Sequence, residues 1–226
     1  MSSLFAKVQF QTHALEAERE FYACTLGLPL IADEGRSFSV LVGQSELEFV
    51  ATDCVAQPIY HIAFNIPENQ IEEALDWTRT RANIPVKSDG SPIYDFATWD
   101  AHAFYFCDPA GNLLEMIARH TLSNASDEHF GAASITCVSE VGVATPDVPE
   151  TVQNLIDQLG IHCYPDPAAP VSEEFQAVGD ENGLFVVAKV GRSWLGSDKS
   201  AQPVPTKVRT RSGIELEFHV THAETC

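Results

Sequence analysis

The chain has 226 residues, 45% of them hydrophobic, and a mean hydropathy of −0.05, which fits a soluble globular protein with a substantial core. Thirty-two Asp and Glu face 13 Lys and Arg, a formal charge of −19, so phosphate backbones and anionic membrane surfaces are excluded as expected partners. No apolar run approaches the ~20 residues of a bilayer span. The N-terminus lacks a secretory signal pattern, and six scattered cysteines without a Cys-x-x-Cys pair point to reduced, mostly buried thiols in a cytoplasmic protein.

In chain order, Val8-Gln-Phe10-Gln-Thr12 alternates as a half-buried strand does. A helix is predicted from Leu15 to Cys24 and stops at Leu26-Gly27-Leu28, where glycine suits a left-handed cap. Phe38–Val42 and Glu46–Val50 read as two strands around a tight turn. The second set begins with His61–Ile66 as a strand and continues with a helix over Gln70–Arg81. A short strand at Pro85–Lys87 follows, and then Ala103–Phe106 and Leu113–Ile117 around the turn Asp108-Pro-Ala-Gly-Asn112. A polar stretch after residue 122 reads as a linker.

The third set opens with the strand Val141–Thr145, a helix over Val148–Gln158 and a stop at Leu159-Gly160-Ile161. Thr12 to Gly27 and Thr145 to Gly160 are both fifteen residues apart, so the chain repeats a βαβββ order. Phe175–Val178 and Leu184–Val187 repeat the later strands, and Pro205–Thr210 with Ile214–Phe218 forms a final hairpin, a fourth unit without its helix. The expected fold is α+β, with repeated βαβββ units forming curved mixed sheets. Residues 1–122 should form a complete two-unit module with the functional site. Residues 123–133 should be a linker, and 134–226 an incomplete module. Its open sheet edges lead us to expect a homodimer.

Two stretches, Phe21-Tyr22 with Leu26-Gly27 and Phe104-Tyr-Phe106-Cys-Asp108-Pro-Ala-Gly111-Asn112-Leu-Leu-Glu115, resemble the vicinal-oxygen-chelate superfamily of glyoxalases, bleomycin-resistance proteins and extradiol dioxygenases. The resemblance implies a glyoxalase/bleomycin-resistance/dioxygenase-like fold whose paired units bend into a cup, with first- and last-strand residues holding a divalent metal. Carried over, the first-strand position falls at Lys7, His61 and Glu140. The last-strand acid falls at Glu48 and Glu115, with apolar Val187 or Ala188 in the third unit, so no second metal site is expected there. Metal ligands are therefore expected at His61, Glu115 and Glu48, with iron(II), manganese, zinc or nickel as the ion. Lys7 departs from the pattern, because an ammonium could pair with the acids and replace the metal. A three-ligand metal site, an ammonium-filled site and a vestigial cup all stay open.

His102 is the candidate acid or base, with Glu48 a second catalytic candidate, and Lys7, Trp99 and Tyr105 are expected to line the substrate pocket. The implied function is a metal-dependent enzyme acting on a small oxygenated organic substrate, by glyoxalase- or lyase-like chemistry or by dioxygenation. The alternative is a metal-free protein that sequesters a hydrophobic or aromatic compound. Fold resemblance does not choose between them.

Overall fold

The computed structural model describes residues 2–53 and 58–219. Among the described residues fourteen strands form two sheets. The six-stranded sheet has the order β14-β13-β1-β4-β3-β2. It contains β1 (Phe5–Thr12), β2 (Leu30–Asp33), β3 (Ser37–Val42) and β4 (Ser45–Ala51) of the first unit, closed by the hairpin β13 (Thr206–Thr210) and β14 (Glu215–Phe218). The eight-stranded sheet has the order β10-β11-β12-β9-β5-β8-β7-β6. It joins β5 (His61–Ile66), β6 (Tyr94–Phe96), β7 (Ala101–Cys107) and β8 (Leu113–Arg119) to β9 (Cys137–Thr145), β10 (Cys163–Tyr164), β11 (Phe175–Asp180) and β12 (Gly183–Lys189). Three helices complete the units: α1 (Leu15–Arg19, widening into a π turn over Glu20–Thr25), α2 (Ile71–Arg79) and α3 (Val148–Leu159). No helix among the described residues is long and apolar enough to cross a membrane.

The repeat is therefore present, but its units pair differently from the expected 1–122 module. The second unit pairs with the third, through antiparallel β5 and β9, and the first pairs with the terminal hairpin. Side-chain patterning explains this choice. All six residues of β5 are buried, as are the first seven of β9, so both strands need cover on two faces and take central places. In β1 the alternate residues Lys7, Gln9 and Gln11 are only partly buried, which suits a sheet with one face open to water.

Two smaller expectations also change. Pro85–Lys87 is irregular, and the second strand of that unit is Tyr94–Phe96 instead; proline donates no ladder hydrogen bond. Of the four described cysteines, Cys137 and Cys163 are buried, whereas Cys24 and Cys107 are exposed; all four are free thiols.

One continuous apolar cluster lies between the sheets and includes the inner faces of all three helices. Phe5 of β1 meets Phe185 of β12 edge-on at 5.1 Å, and Phe10 meets Tyr60 at 4.1 Å. Helix α3 has Asp147 as N-cap, accepting from Glu150 N–H, and ends on left-handed Gly160. The Asp-Pro-x-Gly-Asn turn is a structural latch. Asp108 accepts from Asn112 N and Nδ2 and from the Tyr22 hydroxyl, while Asn112 Oδ1 accepts from Tyr60 N. Alternation along the strands points the opposite face of each sheet away from this shared core, and on the eight-stranded sheet that face forms a cup.

Candidate metal centre

The cup is built by register. On β5, Ile62 and Phe64 enter the core, which turns His61 and Ala63 outward; on β8, Leu114 and Met116 do the same and turn Glu115 outward. The β5–β9 ladder slips by one residue after Ala63, pairing Ala63 with Glu140 and Phe64 with Val138. That bulge places both Ser139 and Glu140 within reach of the same arginine from the cup face.

His61, Glu115 and Glu140 converge there, with one ligand atom from each lying within 4.8 Å of the others. His61 Nε2 is 3.5 Å from Glu115 Oε2 and 3.8 Å from Glu140 Oε2. Two donors bound at about 2.1 Å to one ion sit about 3.0–3.4 Å apart, so small side-chain adjustments would bring the three onto a common centre. All three residues are buried.

The electrostatics fit a cation. Burial, and then the neighbouring Glu140 charge, push the Glu115 carboxyl well above the ordinary carboxylate range. Burial opposes ionisation of Glu140 as well, but the neighbouring His61 and the charge of Arg119 outweigh it and hold that carboxyl below its ordinary value. Arg119 is fully buried, pairs with Glu140 through Nη2, and also donates to Ser139 Oγ (3.2 Å) and Asn65 Oδ1 (3.3 Å). Its guanidinium lies 5.5 Å from the Trp99 ring and 5.8 Å from that of Tyr164. His61 Nδ1 has no hydrogen-bond partner among the described residues, so no such partner pins its tautomer.

The parallel ladders show which positions correspond. His61 pairs with Leu113, two residues before Glu115; Glu140 pairs with Leu184, two before Val186. Lys7 pairs with Glu46, two before Glu48. The cup between units two and three thus has four corresponding positions, His61, Glu115, Glu140 and Val186. The first three carry donors and the fourth is apolar. The third unit's counterpart of Glu115 is Val186, not Val187 or Ala188; the register differs from the expected one by one or two residues, and Val187 faces the core.

Lys7 and Glu48 do not join this group. They lie on the six-stranded sheet, where Lys7 Nζ contacts Glu46 at 2.8 Å and Glu48 at 3.0 Å, and Gln9 Nε2 donates to Glu48. The expected set of Glu48 with His61 and Glu115 fails because the first unit closes on the terminal hairpin, not on the second unit. Glu140 takes the open place.

His102 also falls outside. It shares its side of β7 with Phe104 and Phe106, away from Tyr105, and its Nδ1 lies 2.8 Å from His120 Nε2; strand alternation denies it the cup. Tyr105 and Trp99 do line the cup, and Tyr105 stands directly across the β7–β8 ladder from Glu115. Sequence reading did not assign chemistry to Arg119 or to the segment after β12, which folds back over the cup. Trp194 stacks on His61 at 5.1 Å between ring centres, and Arg192 joins the lining. The cavity holds about 230 Å³, smaller than a site for a drug-sized ligand.

Solved structures supply the likeness. A putative dioxygenase from Bacillus subtilis subsp. subtilis str. 168 superposes with a TM-score of 0.59 at 12% identity, over 98% of this chain and 87% of the other. The chain has a glyoxalase/dioxygenase-like fold. A glyoxalase I variant from Zea mays matches with a TM-score of 0.53 at 13% identity, over 83% of this chain and 69% of the other. No protein-family model and no curated protein sequence matches the chain. Identities this low speak for the fold alone and leave the reaction to the site.

Proposed function

We propose that the cup between the second and third units is the active site of a metal-dependent enzyme acting on a small oxygenated organic molecule. In this reading His61, Glu115 and Glu140 hold the ion. The observation that carries it is the convergence of one imidazole and two carboxylates in a buried pocket, beside an apolar fourth position at Val186. Three protein donors with an open place are the arrangement of catalytic rather than structural metal sites. When bound, the ion would act as a Lewis acid toward substrate oxygen.

This chain's own residues divide the remaining work. Arg119 fixes Glu140 and keeps it ionised. The Tyr105 hydroxyl, across the ladder from Glu115, can hold or move a proton at the substrate. Trp99 and Trp194 cover the pocket and exclude water. One imidazole with two carboxylates differs from the two-His, one-carboxylate triad of non-haem iron oxygenases, so lyase- or isomerase-like proton transfer is favoured over ring cleavage. The competing reading is metal-free sequestration. It draws on the Arg119–Glu140 pair, in which the guanidinium already answers the Glu140 charge on the pocket floor.

Metal analysis of untagged protein after loading with manganese, iron(II), zinc or nickel and desalting tests the proposal. About one equivalent is expected for the native chain, falling at least tenfold in Glu140→Ala and Glu115→Ala and unchanged in Glu48→Ala. Less than about a tenth of an equivalent in the native chain, or equal loading of all variants, would overturn it.

A further inference from the structure

The walls of the cup are aromatic, and its floor carries the acids. Against that background Arg192 is unusual. It is the one Lys or Arg among the described lining residues, and no carboxylate pairs with it in the described structure. Its guanidinium rests on the Phe175 ring at 4.5 Å, and its side chain spends one N–H on Ser193 O at 3.3 Å. Cation–π contact fixes the group at the wall without neutralising it, and most of its five N–H donors remain available. A chain with a net charge of −19 repels anions in general, so one unpaired guanidinium at the rim of an acidic pocket selects for a ligand that carries its own negative group.

We propose that Arg192 is a specificity-determining residue that binds the carboxylate of a flat aromatic acid whose ring lies between Phe175, Trp194 and Trp99. The inference rests on the cup being the substrate site and adds the chemical class of the substrate. A monoanion fits better than a phosphate, because Arg192 is the one Lys or Arg of the described lining and the overall field opposes a second negative charge. The planar guanidinium fork matches a carboxylate in two-point contact. The small cavity limits the ligand to about one substituted ring.

Titrating the full chain with 3,4-dihydroxybenzoate and with its neutral isostere 3,4-dihydroxybenzamide, followed by calorimetry with and without manganese, tests this. The native chain should bind the acid about tenfold or more tightly than the amide. Arg192→Gln should erase that ratio while leaving amide affinity within about twofold, and Arg192→Lys should restore part of it, since the point charge returns without the fork. A merely structural role for Arg192 would weaken both ligands equally. Equal affinity of the native chain for acid and amide, binding of neither up to millimolar concentration, or an acid preference that survives in Arg192→Gln overturns the inference. Failure of the metal reading looks different: acid preference would persist, with manganese changing neither affinity.

Discussion

At the scale of single residues, the most informative group outside the cup is Glu18. It is fully buried at the junction of α1 with the Asp108–Asn112 turn and accepts from Ala110 N–H at 2.7 Å. Burial, and then the adjacent Asp108 charge, raise its carboxyl from an ordinary 4.5 to about 9. Between those two values the folded chain keeps a proton that the unfolded chain has released, so stability falls as pH rises through this window and levels off above it. Glu18→Gln removes the titration, keeps an acceptor for Ala110, and supplies a donor toward Asp108. The variant should therefore match the native chain near pH 4.5 and exceed it by about 2–4 kcal/mol at pH 8 to 9. Urea unfolding across pH 4.5–9.5 reads this directly, and a constant difference at every pH would remove Glu18 as the cause.

At the scale of elements, β9 is where the site is assembled, and Gly142 is its tightest point. A Cβ there would lie 3.0 Å from the His61 Cβ and 3.1 Å from the Trp194 ring. Glycine thus lets the segment after β12 seat its indole on the imidazole. Gly142→Ala should push Trp194 outward and cost about 1–3 kcal/mol. In a Trp77→Phe, Trp99→Phe background Trp194 is the sole indole, so its emission should move to longer wavelength and become more open to acrylamide. Emission and melting temperature both unaltered would mean that the packing at Gly142 does not hold the segment in place.

The same strand shows what was legible in advance. The three first-strand positions at Lys7, His61 and Glu140, and the acids at Glu48 and Glu115, are what the family resemblance implies when laid on the repeat, and the ladders give them the same spacing. Which units share a sheet does not follow from repeat order, because each unit has a matching edge to offer. The sequence shows Lys7, Gln9 and Gln11 alternating with apolar residues, while the burial of His61–Ile66 and Cys137–Val143 on both faces emerges only in the folded sheet. That difference separates a one-face strand from a two-face strand, and in the folded sheets it goes with His61 meeting Glu140 rather than Lys7. Arg119 carried no such mark, since a terminal arginine on a strand reads as solvated until its partners Ser139 and Glu140 are brought across the sheet. His102, the candidate acid or base, lies outside the cup because strand parity puts it on the face opposite Tyr105.

At the scale of the whole molecule, the −19 charge acts on every stability measurement, including those that test the metal centre. Repulsion among surface carboxylates is screened over about 10 Å at 0.1 M ionic strength and about 3 Å at 1 M. Sodium chloride alone should therefore raise the melting temperature gradually between 10 and 500 mM, by a few degrees. A divalent chloride does the same through its ionic strength, so stabilisation by metal is diagnostic only at micromolar concentrations, where screening is negligible. A site-bound ion at about 100 times its dissociation constant contributes about 2.7 kcal/mol. The two effects separate by variant. Glu115→Gln and Glu140→Gln should lose the micromolar response and keep the sodium chloride response, whereas charge removal on the open face, as in Glu48→Gln, should leave the micromolar response intact. Thermal melts of the three variants in matched ionic strength decide the matter. A micromolar response that survives in Glu140→Gln would mean that the ion acts through the acidic surface and not through the cup.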